Sequence, residues 1–196
     1  MKPITLLIVI LFSFNFTVKS QFGLGLTAAF DAYQRYSNPI DPDDGTISNS
    51  AGFIGGFGVG PKIWVGGENI SISLEGQINY GAWGYSFGDD KGHGLLAFPF
   101  MFKANRNAAS GFHQDKGIGM SLGAGIQYSR TEVFRDWEVY PDLERKLFPT
   151  YVGELGLHVT EGDGMDLALY IRFGMHEKEA RSFNLGLVYN MNFFHK

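Results

Sequence analysis

Hydrophobic and polar residues alternate with a period of two along most of the chain. In the stretch NISISLEGQINY (residues 69–80), Ile70, Ile72, Leu74, Ile78 and Tyr80 share one parity. Ser71, Ser73, Glu75, Gln77 and Asn79 occupy the other. Successive side chains of a strand point to opposite faces, so this pattern predicts a β-strand with one apolar and one polar face. Seven further stretches alternate the same way: residues 22–35, 52–65, 95–103, 117–129, 151–160, 165–176 and 183–194. Each is near the ~10 residues with which a tilted strand crosses a bilayer. The connections alternate too. Residues 36–51, 81–94 and 130–150 are long, whereas 66–68 and 161–164 are tight turns. Long loops at one end and short turns at the other are the pattern of an outer-membrane barrel. Residues 104–116, long for the short-turn end, and 177–182, short for the loop end, depart from it.

Which face meets water is decided by what shares the polar face. Gly23, Gly25, Gly52, Gly56, Gly58, Gly60, Gly117, Gly119, Gly123, Gly125, Gly156, Gly174 and Gly186 are read there. Glycine weakens a strand exposed to water, but a narrow barrel interior needs small residues between large ones. The opposite face is Leu, Ile, Phe, Val and Met without a strand charge. The pattern therefore predicts an all-β fold, an eight-stranded antiparallel up-and-down transmembrane β-barrel with its apolar face to lipid. A soluble exported ligand-binding barrel is the alternative, and would need the reverse arrangement. In the membrane reading Asp31, Arg35, Lys62, Glu75, Gln77, Lys103, Gln127, Glu154, His158, Asp166 and Arg172 point inward. Charges in a narrow lumen must be paired. Asp31, Lys62, Glu75, Gln77, Lys103, Gln127, Glu154, His158 and Arg172 form the expected polar network, with Glu75 and Glu154 facing Lys62, Lys103 and Arg172. A gated ion path is the sharper reading of the same residues.

The N-terminus changes the compartment. Lys2, an apolar run over residues 4–16 and Val18-Lys19-Ser20 before Gln21 make residues 1–20 an expected signal peptide, too short to span as a helix. Cleavage there leaves 176 of 196 residues, read as one barrel domain over 21–196. Losing Lys2 and Lys19 moves the formal net charge from −4 to −6, which argues against nucleic acid as a partner. No cysteine is present, so neither a lipoprotein anchor nor a disulfide framework applies. The 27 glycines alone would suggest disorder, but 15% aromatic residues do not fit a disordered chain.

With these residues in view, the chain resembles the small outer-membrane β-barrel proteins of the OmpA/OmpX-like group. The last strand, NLGLVYNMNFF, places Asn184, Gly186, Tyr189 and Met191 where that group carries the signal read by the barrel-assembly machinery. The segment FPFMFK (residues 98–103) is similar to the group's hydrophobic-Pro-three-hydrophobics-Lys segment, with Pro99 and Lys103 matching and Ala97 where an acidic residue often stands. His195 and Lys196 follow the final aromatic, a departure from the signal. The resemblance implies a cell outer-membrane location, with outer-membrane lipid and the assembly machinery as partners. It does not imply one function, since this scaffold hosts adhesins, enzymes and inert anchors.

No catalytic, metal or cofactor set is assigned. Ser129, His158 and Glu154 share the inner face, but their spacing sets up no nucleophile with an oriented base. LHVTEG around His158 does not match the His-x-Ser-Asn segment of lipid-A deacylases, so a lipid-modifying enzyme stays an alternative only. DPDDG (residues 41–45) puts Gly45 one place too early for an EF-hand, and Asp and Gly are ordinary turn residues. His93 and His113 have no zinc-ligand spacing. The segment 130–150 offers Phe134, Arg135, Trp137 and Tyr140 as outer-loop contacts for an extracellular protein or glycan, beside the plainer reading of a membrane-surface aromatic belt.

Overall fold

The computed structural model describes residues 21–39, 50–86, 92–112, 115–135, 146–162, 165–176 and 180–195. Nine strands follow in order: β1 (Gln21–Ser37), β2 (Ser50–Gly66), β3 (Ile70–Gly76), β4 (Ile78–Ser86), β5 (Gly92–Asn107), β6 (Gly117–Arg135), β7 (Phe148–Gly162), β8 (Met165–Met175) and β9 (Arg181–His195). All pairings are antiparallel; β3 and β4 each lie between β2 and β5, every other strand pairs along the chain, and β1 pairs with both β2 and β9, which closes the sheet into a ring. β3 and β4 are two halves of one staff. Gly76↔Phe100 and Asn79↔Ala97 continue one register on β5, as Lys62↔Glu75 and Val59↔Ile78 do on β2. The molecule is thus an eight-stranded barrel with its third strand interrupted at Gln77.

The interruption has a local cause. Pro99 falls opposite Gln77, accepts from the Gln77 N–H at 3.0 Å and has no N–H to return. On the other side Pro61 falls opposite Gly76, and a Cβ on Gly60 would lie 1.7 Å from the Gly76 carbonyl oxygen. Only glycine lets the two backbones approach that closely.

The barrel is inside-out by the standard of a water-soluble domain. Lys62, Glu75, Lys103, Glu154 and Arg172 are each at most 4% exposed, while Phe57, Ile118, Leu122, Phe173 and Met175 are 59–71% exposed. A contiguous apolar wall of this extent has no stable state in water and needs an apolar solvent. The strands extend past that wall: β1 and β2 have 17 residues and β6 has 19. Consequently part of the expected 130–150 loop is strand, with residues 130–135 in β6 and 148–150 in β7.

One orientation expected from alternation is overturned. Arg35 faces outward. The register against β9 shifts between Asp31 and Tyr33, so one extra residue enters β1 and the parity inverts beyond it. Gln34 and Tyr36 take the inward positions instead, both 0% exposed. The connection 104–116 also differs from a simple turn. β5 runs to Asn107, a 3-10 turn follows at Ala108–Ser110, and Ala108 to Phe112 fold inward against the lumen, all buried. Gly119 makes room for this plug, since a Cβ there would lie 2.4 Å from Ala109 N and from Arg106 O. The segments 1–20 and 136–145 lie outside the described residues.

Candidate functional site in the barrel lumen

Each lumen residue is placed by strand parity, and the barrel curvature brings residues from distant strands within bonding distance. At the centre is an alternating chain of charges. Lys62 Nζ on β2 is 2.8 Å from Glu75 Oε1 on β3. Lys103 Nζ on β5 bridges Glu75 Oε2 at 2.6 Å and Glu154 Oε1 on β7 at 2.5 Å. Arg172 on β8 closes the series by donating from Nη2 and Nε to Glu154 Oε2 at 2.6 and 2.8 Å. Adjacent strands and adjacent rungs account for it: Lys62↔Glu75 and Glu154↔Arg172 are direct cross-strand pairs.

Hydrogen bonds extend the chain toward both mouths. On the loop side, Arg172 Nη1 donates to Gln127 Oε1 at 3.1 Å, and Gln127 Nε2 donates to the Tyr36 hydroxyl at 3.2 Å. Asn184 Nδ2 links that hydroxyl at 2.9 Å to Asp31 Oδ1 at 3.3 Å. Asp31 also accepts from the Tyr170 hydroxyl and from Asn79 Nδ2 at 3.1 Å. On the turn side, Lys62 Nζ donates to Asn190 Oδ1 at 3.2 Å, and Asn190 Nδ2 donates to Asp166 Oδ1 at 2.9 Å. Asp166 Oδ1 lies 2.5 Å from His158 Nδ1, and His158 Nε2 lies 2.8 Å from Ser121 Oγ. Gln77 stands beside this chain, donating from Nε2 to Thr27 Oγ1 at 3.0 Å.

Both mouths are filled. Toward the loops Tyr36, Leu95, Phe148 and Ala180 form a buried apolar cluster. Toward the turns the inward plug presents Phe112, 2% exposed, beside Trp64, 0% exposed. Ser71 Oγ donates to the Ser110 carbonyl at 2.6 Å, Asn192 Nδ2 donates to the Gly111 carbonyl at 2.7 Å, and the Ser110 hydroxyl donates to the Gly67 carbonyl. Gly111 is left-handed at φ 77°, and its Cβ would fall 2.7 Å from Trp64 Nε1, so no other residue suits the tip of the plug.

The structure therefore brings Lys62, Glu75, Lys103, Glu154, Arg172, Gln127, Asp31 and His158 into one bonded network. It does not bring Ser129, His158 and Glu154 together. Ser129 accepts from Gln127 Nε2 at 3.2 Å, Glu154 is taken by two cations, and His158 joins Ser121 and Asp166 instead. Ser121, His158 and Asp166 are the residue types of a hydrolytic triad in bonded order, yet each is at most 3% exposed. A nucleophile must be within reach of its substrate, and in this closed lumen the Ser121 hydroxyl is not.

Sequence reading passed over several lumen residues. Trp64 stacks under Lys62, with Nζ 4.6 Å from the ring centroid, and Arg172 lies 5.1 Å from the Tyr170 ring. Trp64 shares the parity of Lys62, and Tyr170 that of Arg172, so alternation held the signal. Tyr36 was hidden by the β1 bulge. Of the outer-loop candidates, Phe134 lies in β6 with its ring on the outer wall, edge-on to Tyr80 at 6.4 Å. Arg135 ends β6, while Trp137 and Tyr140 lie outside the described residues. Of the assembly-signal candidates, Asn184 and Gly186 face the lumen, Tyr189 faces out, and Met191 is half-buried. Among the described residues no group of three or more His, Cys, Asp or Glu is placed to hold a metal ion.

No protein-family model matches the sequence, and no curated protein matches it. Among solved structures, Neisserial surface protein A is similar at a TM-score of 0.49 and 12% identity, over 88% of this chain and 97% of that one. OprG from Pseudomonas aeruginosa gives a TM-score of 0.47 and 9% identity, over 88% and 95% of the two chains. Ail of Yersinia pestis gives 0.45 and 11%, over 89% and 100%. The likeness is to small outer-membrane β-barrel proteins and concerns the fold alone.

Proposed function

We propose that this chain is an integral outer-membrane protein, exported by residues 1–20 and inserted by the barrel-assembly machinery. In this reading it serves as a closed, non-catalytic anchor that presents its loops outside the cell. The observation that carries it is the inverted burial: five alternating charges at most 4% exposed inside, and Leu, Ile, Phe and Met 59–71% exposed outside. A soluble barrel would have to hold that wall in water. The bonded lumen and its two filled mouths support a structural plug over an ion path, and the enclosed Ser121 hydroxyl argues against a lipid-modifying enzyme. Surface interaction then falls to the loops, where Arg135, Trp137 and Tyr140 in the 130–150 segment offer an extracellular protein or glycan the anchors such contacts favour.

Fractionation with a heated and unheated gel tests the membrane reading. Recovery in the membrane with a mobility shift on boiling is expected, and recovery in the soluble periplasm would sink it. Planar-bilayer recording tests the plug, for which silence is expected. Steady conductance that disappears in Arg172→Ala would replace the plug with a gate. Deleting residues 136–145 should leave the heat-shifted band intact. Any host-cell binding of the intact protein that survives this deletion would exclude that loop as its anchor.

A further inference from the structure

The segment that fills the turn-side mouth is set between two unusual backbone conformations. Asn107, at φ 53° and ψ −126°, precedes the 3-10 turn at Ala108–Ser110, and Gly111, at φ 77°, follows it. The Asn107 angles are those of the first central position of a type II′ turn, where glycine fits and a side chain is strained. Strain of this kind persists only where the surroundings impose it, and it gathers in segments that switch between two positions. The near end is pinned, since the Asn107 N–H donates to the Asn69 carbonyl at 2.8 Å.

The groups under the segment are incompletely matched by it. Among the described residues, Trp64 Nε1, Asn105 Oδ1 and Asn192 Oδ1 are buried without a hydrogen-bond partner. All three border the segment. Trp64 Nε1 lies against Gly111, and Asn192 holds the Gly111 carbonyl through its other amide atom. Asn105 Nδ2 donates at 3.4 Å to Ser71 Oγ, which in turn holds the Ser110 carbonyl. A buried polar group left unpaired costs free energy that contact with water would return. The holds on the segment are few: the bonds to Ser71, Asn192 and Gly67, and the Phe112 ring beside Trp64. Among the described residues no member of the charge chain from Lys62 to Arg172 bonds to it. The segment can therefore leave without breaking an ion pair.

We propose that residues 107–112 are a movable stopper, poised to swing out of the turn-side mouth and let water reach Trp64, Asn105 and Asn192. Phe112 and the three hydrogen bonds keep the closed form the major one. The strain at Asn107 and the unpaired groups beneath keep the open form within reach. The opening is local. The charge chain and the loop-side cluster of Tyr36, Leu95, Phe148 and Ala180 stay in place. The barrel thus admits water from one end and remains closed to flow through it, so the anchor reading above is unaffected.

The chain has no cysteine, so a single introduced thiol reports on its own position. The test compares Ala109→Cys with Ser129→Cys in the folded barrel in detergent micelles, where both mouths meet water. Both positions are 0% exposed; one is in the stopper and the other pairs with Phe148 at the loop end. A charged thiol reagent should modify position 109 at least about tenfold faster than position 129. Urea below the unfolding transition should barely change that rate, because a local opening exposes little surface. Asn107→Gly relieves the closed form of its strain and should slow the reaction about fivefold. Gly119→Ala, whose Cβ would crowd the Ala108 and Ala109 backbone, should speed it. If Ala109→Cys gives no heat-shifted band, Ser110→Cys takes its place in the same comparisons. The proposal is overturned if the stopper thiol is as inert as the one at position 129, or if both react at a rate that follows global unfolding in urea. It is also overturned if Asn107→Gly leaves the rate unchanged.

Discussion

Glu75→Gln is the most informative perturbation of the lumen. Glu75 is 2% exposed and serves two cations, with Oε1 2.8 Å from Lys62 and Oε2 2.6 Å from Lys103. At an effective dielectric near 20, each contact at such a distance corresponds to about 6 kcal/mol of Coulomb attraction. Much of that is offset, because glutamine no longer has to be desolvated as an anion. Lys103 keeps Glu154 at 2.5 Å, so it is held. Lys62 keeps only the Asn190 amide at 3.2 Å and the Trp64 ring at 4.6 Å, and is left as a buried cation without a counter-ion. Breaking one side of a buried pair costs on the order of 3–5 kcal/mol, and the isosteric change adds no cavity. The assay is equilibrium urea unfolding in lipid vesicles, followed by tryptophan emission, with the heat-shifted band as a second measure of folded protein. A Lys62→Met partner completes a cycle, and the double variant should lose at least about 1 kcal/mol less than the sum of the singles. A single-variant loss under about 1 kcal/mol, or an additive cycle, would refute the claim that Glu75 holds Lys62 in the lumen.

Leu122, 68% exposed on the wall of β6, should not tolerate charge: Leu122→Arg should cost roughly 2–4 kcal/mol in vesicles, whereas a water-facing position would lose almost nothing. Two glycines of β7 should respond with opposite signs to alanine. A Cβ on Gly153 meets nothing within 4 Å and should stabilise by about 0.4–1 kcal/mol, through the unfolded chain. A Cβ on Gly156 falls 2.5 Å from Ser121 Oγ and 2.9 Å from His158 Nε2, and should destabilise by about 1–3 kcal/mol. Equal urea midpoints for these two variants would contradict the assigned faces. Gly119→Ala places its Cβ against backbone atoms of the plug and should displace it, exposing residues 107–116 to protease. An unchanged digestion pattern would mean the plug is not packed on β6 as described.

How much was legible in advance follows from which interactions are local. Strand identity and facing are local properties: period-two alternation marks every staff of the ring, and Gly23, Gly123 or Gly186 on the polar parity identify the crowded interior. The absence of cysteine then excluded a disulfide framework. From the sequence alone came an eight-stranded barrel with Lys62, Glu75, Lys103, Glu154 and Arg172 facing one another.

Pairing and register are not local, and the tertiary structure decided them. Lys62 meets Asn190, 128 positions away, because the ring closes β1 between β2 and β9. His158 meets Ser121 and Asp166 rather than Ser129 and Glu154, because the stagger of β6 and β8 against β7 sets which rungs are level. A single inserted residue in β1 turned Arg35 from lumen to surface, and no alternation pattern records where such a bulge falls. The inward fold of residues 108–112 was likewise invisible, since what holds it is the Trp64 pocket, Gly119 and three hydrogen bonds from Ser71, Ser110 and Asn192. A face can be read from neighbours along the chain, whereas a partner can be read only once the barrel has closed.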